Sequence, residues 1–235
     1  RRHIRIKAFQ VLYSYFSSAI SDDGSVESSY NKSIAELYFL YLYLLLFLHE
    51  MGHFVIRYED ELRTKYIPDP NELKAHQRFS NNEIVRFLLN NDKLQDYWKK
   101  NQINWEEDES FLRKLFMELK NQDFYKAYSH NQDSSTKVDA VLLTEALGFW
   151  LNNSEALDNH LEYLFPNWQD DSLIAFQMVE RTLKELSKNP SESSLIEPAG
   201  FNDEKVHFGN ELLQTVINQQ DVVSEMVNQK TAKWE

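Results

Sequence analysis

The sequence predicts an all-α protein, and three observations carry that prediction. Glycine and proline are scarce, five of each in 235 residues, while Leu, Lys and Glu, which favour helix, are common. Apolar residues recur at the spacing of a helical stripe rather than in strand-like alternation. The longest apolar run, residues 37–48, is apolar all round, the pattern of a central buried helix.

Composition bounds the function classes. Hydrophobic residues make up 42% of the chain and aromatics 14%, enough for one large domain or two small ones. Cysteine is absent, which excludes a disulfide framework and a thiolate metal site and fits a reducing, cytoplasmic setting. The net charge is −12 and the pI about 5.1. Phosphate contact is the main source of affinity for nucleic acid, so any nucleic-acid binding by so acidic a chain must be local. The basic opening is not followed by a clean apolar core and cleavage site, so no signal peptide is read. The run at 37–48 contains three tyrosines and is shorter than the roughly 20 residues a bilayer requires, so no membrane partner is expected.

Taken in order, residues 1–16 read as a helix, with Ile4, Ala8, Val11, Leu12, Tyr15 and Phe16 on one stripe. Residues 17–33, with Asp22, Asp23 and Gly24, read as a polar loop. A long apolar helix is expected over about 33–66, stopped by Pro68-Asp69-Pro70. Short helices follow at 82–90 and 92–100. An internal repeat comes next. Asn104-Trp105-Glu106-Glu107-Asp108 precedes a helical run from Phe111 to Leu119, and Asn167-Trp168-Gln169-Asp170-Asp171 precedes another from Leu173 to Leu186. Asn before Trp, with a carboxylate three places on, reads as a helix cap with acidic first-turn residues. The two units span about 92–128 and 154–188. A third copy is expected to begin at Lys233-Trp234-Glu235, so the chain reads as cut before a further helical part. Residues 187–202 read as a linker. Helices are expected at about 203–218, with Val206, Phe208, Leu212, Leu213 and Val216 apolar, and at 221–230.

Two groups of residues carry chemistry. Arg1, Arg2, Arg5 and Lys7 are four cations with no acidic residue before Asp22, a local reversal of the chain's charge. Guanidinium groups offer a planar fork to phosphate and a face to unpaired bases, so these four are the candidate RNA contacts; composition alone favours a solvated helix face. The second group is His49-Glu50-Met51-Gly52-His53, a literal H-E-x-x-H. On a helix it sets two imidazoles on one face for Zn²⁺, with the glutamate as general base. The elongated peptidase form needs Gly and His further on, where this chain has Ile56 and Glu59, and Glu145 is only a loose nominee for a third ligand. Structural use of His49 and His53 is therefore the expectation, with no cofactor and no catalytic residue. The remaining histidines, His3, His76, His130, His160 and His207, show no ligand spacing.

The opening Arg1-Arg2-His3-Ile4-Arg5-Ile6-Lys7-Ala8-Phe9-Gln10-Val11-Leu12-Tyr13 resembles the first helix of the transcription antitermination factor NusB family. Phe208-Gly209-Asn210-Glu211-Leu212-Leu213, followed by Val216, Asp221, Val222 and Lys233-Trp234, is similar to a later helix pair of the same family, with Gly209 where the family has Ala and Lys233 where it has Asn. Leu40-Tyr41-Leu42-Tyr43-Leu44-Leu45, Arg78-Phe79-Ser80-Asn81-Asn82, Arg113-Lys114-Leu115-Phe116, Phe124-Tyr125-Lys126 and the Trp-acidic repeats resemble the expanded members of Bacteroidetes-type bacteria. The resemblance implies a bundle half built from 1–17 and 203–235, an inserted helical region at 18–202, and a missing C-terminal half. It implies a non-enzymatic protein that binds boxA-type nascent RNA together with NusE, a ribosomal small-subunit protein, within an RNA polymerase antitermination complex. Only Arg1, Arg2, Arg5 and Lys7 transfer as contacts; the family's NusE-facing surface falls largely in the missing half. Two alternatives stand beside this reading: a zinc-dependent peptidase at His49, Glu50 and His53, and a helical protein-interaction module.

Overall fold

The computed structural model describes residues 2–17, 23–64, 76–189, 195 and 203–231. Among them the chain forms helices and no strand. We number them α1 (Arg2–Ser17), α2 (Asp23–Thr64), α3 (Glu83–Leu89), α4 (Asp92–Lys100), α5 (Glu109–Lys120), α6 (Asp123–His130), α7 (Thr136–Asn153), α8 (Glu155–Leu164), α9 (Trp168–Lys188), α10 (Asp203–Asn218) and α11 (Gln220–Thr231). The chain divides into two compact units, one from residues 1–36 with 197–235, the other from 37–196. The boundary between the two units falls within α2. The Pro68 turn and the Trp234 repeat lie outside the described residues, as does most of the linker at 187–202.

In the first unit, Ile4, Ala8 and Leu12 of α1 bury against Val26, Tyr30 and Ile34 of α2 and Leu213 of α10. This core corrects the sequence reading at residues 23–33, which are helix rather than loop. Val26, Tyr30 and Ile34 stand at i, i+4 and i+8, so three apolar side chains among serines and acids suffice to dock the turn. Tertiary burial outweighs a composition that favours coil. Val206, Phe208, Leu212 and Val216 of α10 pack partly against the same core. Tyr30 is fully buried, and a Cβ at Gly209 would lie 1.9 Å from its hydroxyl oxygen and 2.4 Å from Cζ. Glycine is thus the residue that lets α10 pass over the Tyr30 ring. Burial pushes the Tyr30 hydroxyl up to about 12. Among its described residues the α11 helix has none in this core, and its Val222, Met226 and Val227 are exposed.

In the second unit, residues 40–49 of α2 are all buried, as the all-round apolar run implies. The helix is long and apolar enough to cross a bilayer by length and composition, yet 78% of its most apolar window is buried inside the protein. A core helix has that character. The other principal helices are α7 and α9, packed on each other. The helix α7 is absent from the sequence reading. Buried polar groups stitch the unit. Trp98 Nε1 donates to Leu42 O at 3.0 Å and Trp150 Nε1 to Leu115 O at 3.0 Å. Tyr41 and Thr182 hydroxyls share a 2.9 Å bond. Asp139, 4% exposed, accepts from the Tyr128 hydroxyl at 2.8 Å and the Glu83 N–H at 3.0 Å. Burial raises its carboxyl above the ordinary range despite these bonds.

The two Trp units differ in structure. Trp168 is the first residue of α9 and is buried, with Asn167 in the cap position but making no side-chain cap bond. Trp105 lies in the loop before α5, and there the cap is Asp108, whose carboxylate accepts from the Phe111 N–H at 3.1 Å. The expected Asn104 cap is replaced because a carboxylate sits in the N-cap position itself. Asn82 and Asn91 do cap α3 and α4 through their side chains.

Candidate functional site

The first candidate face is on α1, whose buried side holds Ile4, Ala8 and Leu12. Residues a hundred degrees per step away from that side are 5, 9, 13 and 16, with position 2 in the same register. Arg5 is exposed. Phe9 is 67% exposed, Tyr13 68% and Phe16 45%. The Phe9 and Tyr13 rings stack with centroids 6.4 Å apart and 27° between planes. Arg5 lies over the Phe208 ring, 5.8 Å from its centroid. The helix therefore presents a guanidinium followed by large aromatic rings along one solvent-facing stripe.

This face corrects the sequence-level set in two places. Lys7 is 2% exposed, so its ammonium is not presented to a polyanion. A lysine at the edge of an apolar stripe can bury its long stem, which charge counting ignores. Phe16, assigned to the buried stripe, lies on the exposed one. Arg1 is outside the described residues and Arg2 is placed only as backbone. Phe9 and Tyr13 were overlooked because an aromatic counts as core material by default. Their register relative to Ile4 and Ala8 is the signal that would have found them.

The second candidate is the His49–His53 pair in α2. The rings stand 4.6 Å apart by centroid, nearly perpendicular. His49 is buried, its ring edge-on to Trp98 at 4.9 Å, and its Nδ1 is 3.0 Å from Glu50 Oε1. Burial alone would raise the Glu50 carboxyl, but the hydrogen bond and charge of His49, with His53 and Arg57, bring it below its ordinary range. Partial burial and neighbouring His49 hold the His53 imidazole low. The carboxylate in the base position is thus tied to one of the two imidazoles. Among the described residues, no group of three or more His, Asp or Glu stands so as to hold a metal ion. Glu145 lies on α7 beside Lys137 and Glu180. Glu59 is buried and accepts from Ser80 at 2.7 Å and Arg63. The remainder of the motif is packing: Met51 is fully buried, and a Cβ at Gly52 would lie 2.8 Å from Val85 Cγ1, where α3 approaches α2.

A third group was not legible from spacing. His160 Nδ1 is 2.9 Å from Glu107 Oε1 and its Nε2 2.5 Å from the Tyr43 hydroxyl. With Glu107 ionised, Nδ1–H donates to it and Nε2 accepts the Tyr43 proton. Trp105, Phe111 and Tyr43 surround the imidazole at 5.4–5.7 Å. Burial and then Glu107 push the Tyr43 hydroxyl up, which keeps it protonated and donating. The chain of bonds pins the loop before α5 to α8. Tyr43 is 3% exposed, so this is a positioning device without access for a substrate.

No family model, no curated protein and no solved structure matches the chain.

Proposed function

We propose that the protein binds single-stranded RNA through the solvent-facing stripe of α1, as a non-enzymatic component of transcription antitermination. The observation that carries this reading is the exposed Arg5–Phe9–Tyr13–Phe16 stripe. Large rings left in water forgo the stabilisation of burial, and a stacked pair beside a guanidinium is the surface on which unpaired bases settle. Stacking contributes about 1–3 kcal/mol per base, which helps an acidic protein hold a polyanion with few cations. The resemblance at residues 1–13 supports a boxA-type RNA with NusE as the second protein and RNA polymerase as the wider setting, in the cytoplasm. The contact set is Arg1, Arg2 and Arg5 with the aromatic rings; Lys7 leaves it.

The test is fluorescence anisotropy with labelled boxA-like RNA, with and without NusE, across a salt series. Arg2→Glu with Arg5→Glu is expected to abolish binding, and Phe9→Ala with Tyr13→Ala to weaken it at least tenfold while leaving the salt slope unchanged. Binding that survives the double charge reversal would sink the proposal.

A further inference from the structure

The second unit carries a surface that the α1 reading does not use. Helices α7 and α9 run antiparallel, since the Thr136 hydroxyl at the start of one donates to Ser187 O near the end of the other at 2.7 Å. Two cavities, of about 470 Å³ and 270 Å³, lie along one seam between them. On α7 the seam takes positions 137, 141, 145, 148 and 152, and on α9 positions 188, 184, 180, 176 and 173, each a helical face repeat. From 137 to 152 the seam is about 22 Å long at 1.5 Å per residue.

Its chemistry changes along that length. Lys137, Lys184 and Lys188 line one end, and Glu145 with Glu180 follow two turns on. Lys188 pairs with Glu185 at 2.8 Å; Lys137, Lys184, Glu145 and Glu180 have no ion pair among the described residues. Between these charges stands Val141, 49% exposed. Beyond them the groove is mixed, with Gly148, Phe176 and Leu173 beside the polar Asn152, Gln169 and Ser172. Leu173 is 64% exposed, and a Cβ added at Gly148 would meet only the Phe176 ring, at 3.5 Å. Of the three large apolar side chains exposed among the described residues of this unit, Val141, Tyr163 and Leu173, two lie on the seam.

We propose that the α7–α9 seam is a docking groove for an amphipathic α-helix of a partner protein. Charge complementarity fixes what the helix looks like: an acidic residue at position i over Lys137 and Lys184, a small apolar residue at i+4 over Val141, a basic residue at i+8 between Glu145 and Glu180, and leucines at i+11 and i+15 against Gly148, Phe176 and Leu173. The same pattern sets its direction. Acidic residues belong in the first turn of a helix and basic ones later, by the helix dipole, so the partner helix runs parallel to α7. An apolar strip of i, i+4, i+7 type laid into a groove is a recurrent mode of peptide recognition, and a groove between two antiparallel helices accepts a third at a shallow angle.

The experiment uses the whole 235-residue chain and two fluorescein-labelled 18-residue peptides of that register, one as described and one with the Glu and Lys positions exchanged. The described peptide is expected to bind at least tenfold more tightly than the exchanged one by anisotropy. Val141→Asp is expected to weaken it at least tenfold with an unchanged circular-dichroism melt. Lys137→Glu with Lys184→Glu is expected to weaken the described peptide and favour the exchanged one. Equal binding of the two peptides, no binding of either, or indifference to Val141→Asp overturns the proposal. So does a dimer of the chain by light scattering that Val141→Asp dissolves, because the groove would then belong to a second copy. None of these readouts depends on RNA or on α1.

Discussion

The two units spend their aromatic residues differently. In the 37–196 unit, Trp98, Trp150, Tyr41, Tyr43, Tyr125 and Tyr128 are buried, and each of these has a hydrogen-bond partner for its polar atom. In the unit built from the two ends, Tyr30 is the one fully buried aromatic among the described residues, while Phe9, Tyr13 and Phe16 face solvent. Buried aromatics with satisfied polar ends give area and a unique packing together. Exposed ones give neither, which is why the rings of α1 carry the proposed RNA contact. The larger unit keeps most of its rings in the core, Tyr163 excepted, while the smaller one leaves three of them on the surface of α1.

The comparison breaks most visibly if the scaffold proves soft. Trp150 is fully buried, edge-on to Phe47 at 5.0 Å, and bonded to Leu115 O. Trp150→Ala is expected to cost about 3–5 kcal/mol, read as a lowered midpoint in urea. Phe9→Ala with Tyr13→Ala is expected to stay within about 0.5 kcal/mol of the parent. Equal losses would mean that the α1 rings are core after all.

The next effect is inside the smaller unit. Gly209→Ala places a methyl group in the space of the Tyr30 ring, and overpacking of this kind costs about 1–3 kcal/mol. Tyr30→Ala in the Gly209→Ala background removes the clash, so the two losses are expected to be far from additive. Additive losses in that double-mutant cycle would show that α10 does not cross α2 at this point. The glycine counted at sequence level as a departure from the family pattern; in the fold it is the complement of a tyrosine 179 positions earlier, a coupling that no local pattern reveals.

Other parts were legible, and the reasons are instructive. The central run of α2, the ranges of α3 and α4 and the bounds of α10 follow from rules that act within a few residues. What escaped depends on distant partners. Residues 23–33 become helix only because α1 and α10 supply an apolar wall for Val26 and Tyr30. Lys7 looks like a surface cation until its neighbours Ile4 and Ala8 set the register of the buried face. The His160–Glu107–Tyr43 chain joins residues 53 and 117 positions apart, and His160, its centre, stands in no motif. The H-E-x-x-H string is the opposite case: a complete local pattern whose His49, Gly52 and Met51 pack against Trp98, Val85 and the core.

Titration sharpens the scaffold side further. Asp139 is held above the ordinary carboxylate range by burial, so the folded state binds its proton more tightly than the unfolded chain does. The stability it contributes is complete below the unfolded aspartate value, near pH 4, and is lost as pH rises through the higher folded value. Asp139→Asn keeps an acceptor for Tyr128 or Glu83 and has no proton to lose. Relative to the parent, the variant is expected to gain stability steadily from about pH 4 upward, by urea melts at a series of pH values. A parallel pair of profiles would mean that Asp139 ionises in the fold as freely as outside it.

The smallest effect separates an apolar scaffold from a metal centre within the same helix. His53 is the exposed member of the histidine pair, and it has no protein hydrogen bond among the described residues. If the pair is part of the scaffold, His53→Ala removes a solvated ring and is expected to shift the melting midpoint by less than about 0.5 kcal/mol. The low imidazole value means that His53 is largely uncharged near neutral pH, so no charge is lost either. A bound Zn²⁺ would behave otherwise: ligand that binds only the folded state adds RT ln(1 + [L]/Kd), so added zinc would raise the melting temperature of the parent and not of the variant. The expected result is no zinc-dependent difference between the two and a zinc content well below one per chain by elemental analysis. Stoichiometric zinc that disappears with His53→Ala would reverse the assignment, and would make Glu50, rather than the α1 stripe, the residue to pursue.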